Sequence, residues 1–141
     1  MIKEKTIEVK NEKEGVKILF KKQDNPIIFK TLLLKNDISP DKFSEWIEIL
    51  VNSEIEFICQ FKNGIKIENT ISPISFLSPN HKHPIFDLNF VFPKISFLKI
   101  IEKNMEGEIT IKLILNEKIK KGEDKLDVTF ELVYQIDEET N

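Results

Sequence analysis

Apolar residues recur at every second position along two stretches near the end of the chain: Ile109, Ile111, Leu113 and Leu115, then Leu126, Val128, Phe130, Leu132, Tyr134 and Ile136. Polar residues fill most of the gaps, which is the period of a strand with one buried face. The polar segment around Lys121 and Gly122 lies between the two stretches, so the pattern predicts a long β-hairpin over 107–136. In that hairpin Leu115/Val128, Leu113/Phe130, Ile111/Leu132 and Ile109/Tyr134 would be cross-strand pairs, with Lys112 opposite Glu131 on the other face. A slip of one residue would turn one apolar set to water, so the register is strongly specified. The outer face is polar except for Ile114 and Val133, which read as a small patch or as a spot covered by another element.

The remaining pattern predicts further strands. Segments 6–10 and 16–22 read as an opening hairpin, with Ile7 and Val9 facing Ile18 and Val16 across a loop that ends in Gly15. Segment 27–34 is apolar on both alternating faces, the mark of a central strand buried between two layers. Segments 54–61 and 65–71 flank Asn63-Gly64, a strong hairpin signal. A two-residue turn there would mix polar and apolar residues on each face. A three-residue loop, Lys62-Asn63-Gly64, instead pairs Phe61 with Ile65 and Cys59 with Ile67. Segment 85–92 alternates with Phe86, Leu88, Phe90 and Phe92 on one side.

Two segments have a helical period. Ser39-Pro40-Asp41 supplies an N-cap, a proline at the first helical position and an anion in the first turn. Phe43, Trp46, Ile47, Leu50 and Val51 follow at helical spacing, which predicts a helix over 40–52. The pattern over 94–104 fits a strand or a helix. A helix gathers Ser96, Lys99, Glu102 and Lys103 on one side, with Gly107 as a stop beyond, and is the preferred reading. Residues 72–84 have no period and hold three of the six prolines.

No regular β-α-β alternation is present, so the expected fold class is mainly β (α+β): antiparallel β-sheets in a sandwich-like, two-layer domain with one or two helices. Residues 1–141 read as a single domain, and 136–141 as a flexible acidic tail.

Composition narrows the classes of function. The chain contains no alanine and no arginine, and isoleucine occurs 23 times. All 21 cations are therefore lysine, and the net charge is -3. Without the planar guanidinium fork there is no bidentate recognition of phosphate or guanine, so nucleic acid is not expected as the main ligand. The first residues carry charge where a signal peptide needs an apolar run, no apolar run reaches 18 residues, and a lone cysteine, Cys59, makes no internal disulfide. A soluble, cytoplasmic protein is expected, with Cys59 as an inert core thiol.

Candidate chemistry is sparse. The phosphate-binding glycine loops, Cys-x-x-Cys and Gly-x-Ser-x-Gly are all absent. His81, His83 and Asp87 carry metal-ligating atoms, but two histidines in a proline-bounded loop are ordinarily surface residues, and neither metal nor cofactor is expected. Paired acids such as Glu54 and Glu56 need a cleft to do acid–base work. The leading expectation is a non-enzymatic protein-binding module of inhibitor, immunity or adaptor type, acting on another intracellular protein. Its contact surface is placed in the 72–84 loop, with Phe76 and Leu77 as anchors and His81 and His83 beside them. The same side chains could equally fold over an open end of the core. One alternative is a structural subunit of a homo- or hetero-oligomer, joined through an unpaired edge of strands such as 107–119. A second is a metal-binding protein or metal-dependent enzyme using His81 and His83.

Overall fold

The computed structural model of the chain describes residues 2–36 except 22 and 24, residue 41, residues 43–77 except 63, and residues 85–91, 106–115 and 127–138. Among them the alternation becomes eight strands: β1 (Ile2–Lys10), β2 (Val16–Phe20), β3 (Ile28–Leu34), β4 (Ser53–Phe61), β5 (Lys66–Ile71), β6 (Ile85–Val91), β7 (Gly107–Leu115) and β8 (Thr129–Asp137). One helix, α1 (Phe43–Val51), and a single 3-10 turn, Pro73–Phe76, complete the described elements. The strands form two antiparallel sheets, β1-β8-β3-β6 and β2-β7-β4-β5. Their inner faces meet in one core, where the Phe29 and Phe57 rings of opposite sheets lie 4.9 Å apart. This is the mainly β, two-layer sandwich that the alternation implies. Among the described residues no helix is long and apolar enough to cross a membrane.

The pairing differs from expectation at both ends of the chain. The 107–136 hairpin does not form: β7 lies between β2 and β4 in one sheet, and β8 between β1 and β3 in the other. The described residues expected inside are inside, from Ile109 to Leu115 on β7 and from Phe130 to Ile136 on β8, with Val128 just before it; Leu126 lies outside the described residues. Two amphipathic strands joined by a loop can bury their apolar faces side by side in one sheet or face to face across two. Alternation is the same in both cases. The face-to-face arrangement wins because opposed strands cover each other, whereas a two-stranded ribbon leaves its apolar face wet.

The opening hairpin is replaced for the same reason. Ile7 and Val9 pair with Leu132 and Phe130, and Val16 and Ile18 pair with Ile111 and Ile109. Of the connections between successive strands, only β4–β5 stays within one sheet. There the three-residue loop holds: Cys59 pairs with Ile67, the Phe61 amide donates to the Ile65 carbonyl at 2.9 Å, and Gly64 takes φ 98°. That positive φ is the left-handed conformation glycine adopts without strain.

β3 is central, as expected, but not buried on both faces. Ile27, Phe29, Leu32 and Leu34 point into the core, while Ile28 and Leu33 are half-buried on the outer side. The change of phase lies at Lys30, which has no counterpart on β8 between the pairs Phe29–Tyr134 and Thr31–Val133. A bulge of this kind shifts the two-residue period by one, and it makes one buried face read as two apolar faces. On its other side, Leu88 and Asn89 of β6 oppose Lys30 alone, and Asn89 takes φ 42°.

Trp46, Ile49 and Leu50 of α1 are buried against the core. The proposed cap at Ser39-Pro40 and the 94–104 segment lie outside the described residues, as does the turn at Lys121-Gly122. Gly107 is the first residue of β7. Ile114 and Val133 belong to different sheets, so they form no common patch. Ile136 and Asp137, read from sequence as the start of a tail, complete β8, and Glu138 pairs with Lys3 at 3.2 Å and with Lys5.

Candidate functional site

The expected contact loop is partly in view. Pro73 is buried, and Ile74, Phe76 and Leu77 are half-buried against the core beside α1 and β6. Leu77 forms an isolated bridge with Phe86. Phe76 and Leu77 therefore sit together on the rim of the sandwich with part of their surface in use. His81 and His83 lie outside the described residues. Asp87 on β6 is paired with Thr31 of β3, and its side chain is not among those described. Among the described residues no group of three His, Cys, Asp or Glu could hold a metal.

Cys59 is fully buried on the inner face of β4. Loss of solvent pushes its thiol up to about 12, far from the thiolate a nucleophile requires.

On one side of the sandwich β1 and β2 end the two sheets. A cleft of about 500 Å³ opens there. Ile18, Phe20, Gln23, Tyr134 and Ile136 are its buried residues, and Lys5, Lys17, Leu19, Lys21, Asp137 and Glu138 stand around them. Burial raises the Tyr134 phenol above its ordinary value, so it remains a neutral group at physiological pH. A second hollow of about 310 Å³ shares Leu19, Phe20 and Lys21 and continues to Phe61, Lys62, Glu106 and Gly107. Lys62 lies 2.6 Å from Glu106 and holds that carboxyl below its usual range.

Phe20 is placed by its neighbours. It pairs with Gly107, and Phe61 pairs with Gly107 from the other side. With no side chain between them, the two rings meet edge to face at 5.7 Å across the glycine. The end of β2 is further fixed by Gln23, which is buried although polar. Its amide donates to the Asp137 carbonyl at 3.0 Å and accepts from the Asp137 amide at 2.9 Å, as a neighbouring strand would.

The exposed edges differ in how they treat an incoming strand. On β1, Lys3 and Lys5 occupy the inward phase with Ile7 and Val9, and inward-pointing charge blocks pairing. On β5, Lys66, Glu68, Asn69 and Thr70 are exposed. On β2 the inward residues are Val16, Ile18 and Phe20, and the outward ones are Lys17 and Leu19. Leu19 is 74% exposed. Lys17 lies 3.5 Å from Glu108. Among the described residues β2 has no strand on its other side.

The sequence reading did not single out Leu19. The available signal was an apolar residue in the polar phase of a five-residue strand, together with lysines in the apolar phase of β1. β7, the expected source of an unpaired edge, is an inner strand. Comparison with known protein families, with curated proteins and with solved structures finds no match.

Proposed function

We propose that the chain is a non-enzymatic protein-binding module, of inhibitor, immunity or adaptor type, that takes an extended segment of another intracellular protein along β2. The observation that carries this reading is the exposed Leu19 on a short edge strand without inward charge, beside a cleft with an apolar floor and a rim of lysines and acids. An added strand completes the backbone hydrogen bonds of the edge, and its alternate side chains supply selectivity. Those facing inward meet Ile18, Phe20, Tyr134 and Ile136; those facing outward meet Lys17, Leu19 and Lys21.

Selection of displayed random peptides on the wild-type chain tests the reading. Selected peptides are expected to be extended, to slow amide exchange at residues 16–20, and to lose binding to Leu19→Lys. Peptides that leave exchange in β2 unchanged, or bind Leu19→Lys equally well, contradict it.

A further inference from the structure

Resting on the reading of β2 as the docking edge, we infer that in the free protein this edge is closed by β2 of a second copy, antiparallel about a two-fold axis at Ile18. The side chains select that register. An axis at Ile18 sets Ile18 against its own copy, Val16 against Phe20, and Lys17 against Leu19. Residues directly opposite share a face of the sheet. The inward row is then apolar throughout, built from Val16, Ile18 and Phe20 of both chains.

On the outward row the aliphatic stem of Lys17 lies along the exposed Leu19 of the second copy. Its ammonium is directed toward Glu108, the residue paired with Leu19 on β7. The contact forms twice, once on each side of the axis, and no like charges face each other.

Neighbouring registers fail. An axis at Lys17 sets Lys17 against itself, and an axis at Leu19 sets Lys17 against Lys21 twice; both oppose like charges. A half-step sets inward residues against outward ones and turns an apolar set to water. The β1 edge offers no comparable pairing, because its inward Lys3 and Lys5 are committed to Glu138. Self-pairing at β2 joins the β2-β7-β4-β5 sheets of the two copies into one continuous sheet and covers Leu19 until a partner strand displaces the second copy. With five residues from each chain the contact is well below the size of a standard stable interface, so the dimer is a weak one that forms toward the upper micromolar range.

Sedimentation velocity across the micromolar range tests this with a charge swap. Leu19→Lys places an ammonium beside Glu108 of its own chain, which keeps the fold, but opposite Lys17 of the second copy. It is expected to weaken the dimer about tenfold or more. The double variant Lys17→Glu/Leu19→Lys sets opposite charges across the axis and is expected to restore it. An unchanged melting temperature of Leu19→Lys separates the effect from unfolding. A wild-type chain that sediments as a monomer throughout overturns the self-pairing, while peptide selection still judges the edge separately. A dimer that survives Leu19→Lys, or that the double variant fails to restore, overturns it as well.

Discussion

Single residues in this fold are held by what surrounds them rather than by their own preferences. Gly107 is the clearest case. A Cβ there would stand 2.6 Å from the Gln60 carbonyl oxygen and 2.8 Å from Phe20 Cζ. Gly107→Ala is expected to push the Phe20 and Phe61 rings apart and to destabilise the chain by about 1–3 kcal/mol, the usual cost of overpacking. A urea midpoint that does not move would contradict this. Cys59 shows burial acting on charge. Its folded thiol stays neutral up to about pH 12, whereas an unfolded thiol ionises near about 8.5. Between those values the unfolded chain gives up a proton that the folded chain keeps, so the Cys59 contribution to stability falls as pH rises. Stability of wild type and Cys59→Val, measured from neutral pH to about 10, is expected to diverge, with the wild type falling more steeply. Parallel curves would remove the cause.

At the level of elements, side-chain amides do the work of missing strands. Asn11 and Asn36 accept from the Val128 and Thr129 amides at the start of β8, at 3.0 and 2.9 Å. Gln23 and Asn25 hold its end at Asp137. Gln23→Ala leaves the half-buried Asp137 amide and carbonyl without these partners, and a loss of about 1 kcal/mol is expected. Calorimetry showing an unchanged melting temperature would rule it out. These amide contacts join residues far apart in sequence and carry no local signal. The alternation of Ile109–Leu115 and Phe130–Ile136 identified strands and their inner faces, because burial imposes the period on each strand separately. It could not say which strands pair, since an arch and a hairpin share that period. The β4–β5 hairpin was legible because Asn63-Gly64 and the facing residues together fix one loop. The exposed edge at β2 was not legible because a strand's place at an edge is a property of the whole sheet.

At the scale of the molecule, the order of strands couples the ends of the chain. Ile2 pairs with Asp137, and the pairing runs without a break to Lys10 and Thr129. Contacts of such long range make folding slow, in the millisecond-to-second range expected of β-sandwiches. The place of β8 has a consequence for synthesis. The ribosome makes β1 first and β8 last, yet β8 stands between β1 and β3. Until Thr129–Asp137 has left the exit tunnel, two strands of that sheet lack the neighbour that joins them. Nascent chains stalled before Thr129 emerges are therefore expected to be cut readily by protease, and chains stalled after Asp137 has cleared to resist. Early resistance would mean that the sheet closes without its middle strand. Through most of its translation this chain is a half-built sheet with open edges, and that is the stage at which edge-to-edge aggregation is expected.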